Sequence, residues 1–120
     1  MKIIDCVIRE RIRTAGGEVV SSKTLYDKKI YKLCKIIGEK MVLIGPICFQ
    51  FMLDNGSPRI IEINSRFGGG CILSLEAGFP IIDLIKKDYF NLDFDYIPLR
   101  WKKNLLMERY FREAFFDLNK

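Results

Sequence analysis

The 120-residue chain has no histidine. That excludes Ser–His and Cys–His nucleophile pairs, an imidazole general base and the commonest metal-binding side chain. Its four cysteines, Cys6, Cys34, Cys48 and Cys71, lie far apart without a C-x-x-C pair. A zinc site needs clustered ligands, so free thiols in a cytoplasmic protein are expected instead. A long hydrophobic run is also missing. The best candidate, Met41 to Leu53, is broken by Gly45, Pro46 and Gln50. It falls short of the ~20 apolar residues of a membrane span, so no membrane association is expected. The opening "MKIIDCVIRERIR" is interrupted by charge too soon for a secretory leader. Repeats, low-complexity segments and a clear linker are absent, so residues 1–120 are read as a single domain. Any chemistry must run on carboxylates, amides, arginine and lysine.

The chain does have apolar material for a core, 49% of residues, with a 29% charged share and a net charge of +5. That modest excess is an ordinary solvated surface more often than a phosphate-seeking one. Lys2 to Ile12 favours a strand by its β-branched content, with Arg9, Arg11 and Arg13 on one parity and Ile8 and Ile12 on the other. "TAGGEV" (Thr14 to Val19) supplies a turn. Asp27 to Ile37 predicts an amphipathic helix, because Ile30, Leu33, Cys34 and Ile37 recur at helical spacing, with Gly38 as its stop. "GPICFQFML" and "RIIEINSRF" predict two strands joined by "DNGSP". Asn-Gly is a strong hairpin signal, although Ser57 and Pro58 suggest a loop longer than the tightest form. Short helices are expected over Cys71 to Ala77, ending at Gly78, and from Pro80 through Ile82, Ile85 and Tyr89. Leu105 to Arg112 is read as a strand. These elements give an α+β fold, a mainly antiparallel sheet with helices packed on one face.

The hairpin carries the chemistry. Successive strand residues point to opposite faces, which sorts Ile47, Phe49, Phe51, Leu53, Ile61 and Ile63 onto a core face. The other face then bears Gln50, Glu62, Asn64 and Arg66. With the loop centred on Gly56, Gln50 falls across from Glu62 and Cys48 across from Asn64. Opposed Cβ atoms lie ~4.5–5.5 Å apart, so two such side chains can reach one ion. Two neutral amide oxygens and one carboxylate suit Mg²⁺ that takes further oxygens from a phosphate, and Arg66 would add a forked positive charge. A polar sheet face simply open to water is the alternative. "GGG" at 68–70 likewise has two readings. It is either a strand-to-helix turn, or side-chain-free backbone that lets a ligand approach.

"GPICFQFMLDNGSPRIIEINSRFGGG" followed by "LEAGFPIIDLI" resembles the C-terminal part of the ATP-grasp domain, in the branch related to the carbamoyl phosphate synthase large subunit. "VIRERIRTAGGEV", "IGEKM" and "MERYFREAFF" resemble its flanking segments, so the likeness runs from about Ile3 to Phe116. The resemblance implies that Gln50, Glu62 and Asn64 hold the metal ions, Mg²⁺ or Mn²⁺, that bridge the phosphates of ATP. It implies that Arg66 faces phosphate or the reacting carboxylate as the catalytic arginine. It places Arg9 and Arg11, an R-x-R pair, near the phosphates or acyl substrate. The implied reaction is phosphorylation of a carboxylate to an acyl phosphate, then attack by an amine, as in carboxylate–amine ligases or carbamoyl phosphate synthase. This sequence departs from the pattern at Ser65, where the family usually has proline.

An ATP-grasp site clamps nucleotide between two α+β halves, and the resemblance covers only the second. The lysine-bearing N-terminal half has no counterpart, so a partner chain or missing N-terminal half is expected, with the chain incomplete alone. A non-catalytic ATP-grasp-derived interaction or regulatory module is the rival reading. Nucleic-acid binding through "RERIR" is not expected, since aromatics for stacking are not interleaved with the arginines.

Overall fold

A computed structural model describes residues 4–119. In it β1 (Ile8–Ala15) and β2 (Glu18–Leu25) form a hairpin around Gly16 and Gly17, both at positive φ. Helix α1 (Lys28–Lys40) follows, then β3 (Cys48–Asp54) and β4 (Ser57–Asn64), helices α2 (Cys71–Glu76) and α3 (Ile81–Phe90), and β5 (Leu106–Glu108). β5 pairs with β2, giving a three-stranded sheet of order β1-β2-β5, while β3 and β4 make a separate two-stranded ribbon. Every pairing is antiparallel. The α+β, antiparallel expectation holds. Of the expected first strand, Lys2 and Ile3 lie outside the described residues, and ladder pairing begins at Ile8.

Asp27 starts α1 as its N-cap, its carboxylate accepting from the backbone amides of Lys29 and Ile30 at 2.8 and 2.9 Å. Those donors would otherwise be orphaned. Gly38 does not stop this helix. It is buried in the helix interior, and the chain continues to Lys40 before Val42 turns it at φ 53°. Buried Ile30 and Cys34 pack with Ile8, Phe49 and Phe51, so α1 seals the seam between β1 and the ribbon. A second cluster, Ala77, Phe79, Leu84 and Trp101, joins α2 and α3 to the following loop. Asp5 ties the two regions together. Its carboxylate accepts from Tyr31 Oη at 2.8 Å, Tyr96 Oη at 2.6 Å and the Leu99 amide at 2.9 Å.

The ribbon reaches the expected pairing by another route. Its loop is the tight two-residue form, Asn55 and Gly56 at φ 48° and 76°, with Asp54 opposite Ser57. Both central residues at positive φ are what a right-twisted hairpin requires. That loop alone would set Gln50 against Ile61. A bulge restores one residue between Gln50↔Glu62 and Phe51↔Ile60. Ile61 is the residue it inserts, and the expected single apolar face does not survive. Phe49 and Phe51 face the core, but Leu53 and Ile61 are 58% and 53% exposed on the projecting tip. The last strand is also shorter than expected, ending at Glu108, and residues 110–119 are exposed.

The molecule is open for its length. Its radius of gyration is 16.9 Å, against about 13.6 Å for a compact domain of this size. Its accessible surface is 9209 Å², against roughly 6,700 Å² for a folded monomer of this mass.

Candidate functional site

The ribbon sets the first part of the site. Gln50 lies directly across from Glu62, and Cys48 across from Asn64. Gln50 and Asn64 are half-buried and Glu62 is exposed. Because Phe49 and Phe51 face the core, Gln50 is carried on the opposite face. Glu62 enters none of the three ion pairs among the described residues, so its charge is free for a ligand. Those residues hold no cluster of three or more cysteine or acidic side chains fit for a metal. One carboxylate with two amide oxygens suits a hard divalent cation only when other oxygens, such as phosphates, complete its shell.

Arg66 does not share the Glu62 and Asn64 strand face as expected. β4 ends at Asn64, and Arg66 sits on the bend beyond it, exposed, donating to the Phe67 carbonyl at 3.0 Å. Arg9 is brought to the site more firmly. It sits opposite Thr24 on β1, and its guanidinium lies against the glycine run. A Cβ on Gly68 would stand 3.3 Å from Nη2, and one on Gly70 3.3 Å from Nη1. Nη1 is shut from solvent without a hydrogen-bond partner. Burial pulls this guanidinium below its ordinary value, while the adjacent Cys48 and Cys71 oppose the shift. It remains a cation. A charged, buried donor lacking a partner is costly and suits an anion. Arg11 is not brought there; its exposed guanidinium donates to Gly17 O at 3.0 Å, at the β1–β2 turn.

The glycines divide both readings between them. Gly68 and Gly70 are there for close packing inside the chain: a Cβ on Gly68 would lie 2.6 Å from Cys48 Sγ, and one on Gly70 3.4 Å from Val19 Cγ1. Only around Gly69 is the space open. The run thus packs the start of α2 against Arg9, Cys48 and β2, and presents one glycine outward.

Two polar anchors escaped the sequence reading. Arg109 donates to Gly69 O at 2.6 Å and to Val19 O at 3.1 Å, bridging the glycine run and β2. Asp5 is the hub described above. Neither role could be read from local spacing, since each works mainly through partners scores of residues away. For Arg109 the one signal was its place in "MERYFREAFF", the expected closing strand.

No helix of the described residues is long and apolar enough to cross a membrane. A comparison with curated proteins finds no match. A family model described as "ATP-grasp in the biosynthetic pathway with Ter operon" does match, over residues 2–105, which takes in β1 through α3, the paired amides and carboxylate of the ribbon, Arg9 and the glycine run. The chain therefore belongs to this ATP-grasp family.

Proposed function

We propose that the chain is the C-terminal half of an ATP-grasp domain, of the carbamoyl phosphate synthase-like branch, contributing the Mg·ATP grip of an enzyme that activates a carboxylate as an acyl phosphate. The observation that carries this is the ribbon register. Gln50 opposes Glu62, and Asn64 opposes Cys48, which in turn touches the glycine run beside Arg9. In this reading Gln50, Glu62 and Asn64 would hold Mg²⁺ (or Mn²⁺), with ATP as the nucleotide. Arg9 supplies its unpartnered donor to an anionic oxygen. Arg66, exposed on its bend and held there by the Phe67 carbonyl, swings to the transferring phosphoryl group or the carboxylate, and Arg11 flanks from the turn. A bound divalent metal would neutralise phosphate charge; the chain's own residues position and complement that charge. A carboxylate oxygen then attacks the γ-phosphorus with ADP leaving, and an amine displaces phosphate from the acyl phosphate.

The openness of the fold supports incompleteness. The surface of 9209 Å² exceeds that of a compact monomer by roughly 2,500 Å², an area of the size an obligate interface covers. Exposed apolar residues on the ribbon tip (Met52, Leu53, Ile61) and beyond β5 (Tyr110, Phe111, Phe115) fit the same account. A partner chain or an N-terminal half would supply the lysines and the rest of the nucleotide pocket. Isothermal calorimetry of the chain with ATP and Mg²⁺ tests this. Binding weaker than micromolar, without ligase turnover, is expected; micromolar binding by the chain alone would overturn its incompleteness. In a complex restored with the missing half, Glu62→Ala should abolish ATP-dependent product formation. Unchanged activity would favour a non-catalytic module.

A further inference from the structure

We infer that Arg109 is a positioning residue that clamps the glycine run at the angle the site requires, and that this clamp lies beyond the stretch the family model covers. As a contribution to ligand binding it rests on the Mg·ATP reading above; as a clamp it stands on geometry alone. Three contacts carry it. The Arg109 backbone amide continues the β5 pairing by donating to Val20 O at 2.7 Å. Its Nη1 donates to Val19 O at 3.1 Å, and its Nη2 to Gly69 O at 2.6 Å. Backbone and side chain therefore grip neighbouring residues of β2, and the free end of the fork reaches across to the middle glycine. A planar guanidinium can hold two carbonyls at fixed spacing, which a lysine ammonium on a flexible stem does not reproduce.

The grip matters because little else holds Gly69. Nothing lies within 4 Å of where its Cβ would be, while Gly68 and Gly70 are packed on Cys48, Arg9 and Val19. Among the described residues, the run's further backbone closure comes from the Cys71 amide on Gly68 O at 2.9 Å and the Leu73 amide on Gly70 O at 3.1 Å. Arg9 approaches the run through the Gly68 and Gly70 positions, and Arg109 holds it by the Gly69 carbonyl. The loop, and with it the orphan donor of Arg9, is set by two arginines from opposite ends of the chain. The segment after β5 is thereby part of the site's scaffold.

The test uses the full chain. Amide hydrogen exchange by NMR would be compared for wild type, Arg109→Ala and Arg109→Lys, each titrated with Mg·ATP into the millimolar range. The Cys71 and Leu73 amides report the loop, and the Val20 to Thr24 amides report the sheet. In Arg109→Ala, loop protection should fall about tenfold to a hundredfold, the scale of a lost charged hydrogen bond, with sheet protection held. Arg109→Lys should recover part of it, and Mg·ATP affinity should follow the same order. Should the alanine variant fail to fold, the lysine variant decides: full loop protection in it overturns the clamp, and partial loss supports it. Unchanged loop protection in Arg109→Ala also overturns the clamp, even if wild type binds nucleotide and Glu62→Ala does not. If loop protection falls but wild type binds no Mg·ATP, the clamp stands and the nucleotide reading is what fails.

Discussion

Replacing Gly68 by alanine tests how the glycine run is packed. The added Cβ would sit 2.6 Å from Cys48 Sγ, 3.3 Å from Cys48 Cβ and 3.3 Å from Arg9 Nη2. Ordinary contacts of this kind are about 3.5–4 Å, so sulfur and methyl would overlap by roughly 1 Å. Cys48 cannot retreat easily, because it is paired with Asn64 in the ribbon. Arg9 is constrained too, with one nitrogen shut from solvent. Overpacking of this sort costs about 1–3 kcal/mol. Urea denaturation of wild type, Gly68→Ala, Cys48→Ala and the double variant measures it as a cycle. Gly68→Ala should lose about 1–3 kcal/mol in the wild-type background and less than about 1 kcal/mol once the sulfur is gone. The residue of the cost belongs to the Cys48 Cβ and Arg9 contacts. Equal losses in both backgrounds, or no loss at all, would refute the packing argument.

Asp5→Ala should cost about 2–3 kcal/mol, because it strips a charged acceptor from two phenols and two backbone amides, those of Cys6 and Leu99. Burial, with the bonds to Asp5, holds the Tyr31 and Tyr96 hydroxyls above their usual range. A raised folded-state value means that this stability is fully present below the unfolded tyrosine value near pH 10 and declines as pH rises above it. Denaturation between pH 8 and 11.5 should show that decline in wild type and a smaller one in Asp5→Ala. Asp27→Ala should remove about 1 kcal/mol through the lost α1 cap, read as a lower thermal midpoint. Val42 is β-branched, exposed and at φ 53°, so Val42→Gly should raise stability by about 1 kcal/mol in urea melts. A lower midpoint would show that Val42 makes contacts that outweigh its strain.

The ribbon shows how far local reasoning carries. Asn-Gly between two apolar runs specified a hairpin, and residue parity put Gln50 across from Glu62. Yet the route differed: the loop is one step tighter, and the bulge at Ile61 returns the register. A bulge depends on what covers each face of the ribbon, and no local pattern encodes it. The same holds for Gly38. Glycine often ends a helix, but here Gly38 lies buried inside α1 and the helix runs on to Lys40.

By itself, the sequence determined the kinds of chemistry open to this protein and the order of its elements. A chain without histidine, with an amphipathic helix, turn glycines and alternating strands, carries those facts in neighbouring residues, where spacing reveals them. Tertiary structure alone decided that Arg9 and Arg11, two residues apart, part company, one buried against the glycines and one on the Gly17 carbonyl. It also brought Asp5 to Tyr96 and Leu99, and Arg109 to Gly69, across separations that no periodicity spans. Buried polar groups must find partners wherever packing places them. Those partners are therefore chosen by the fold, after the local pattern has said all it can.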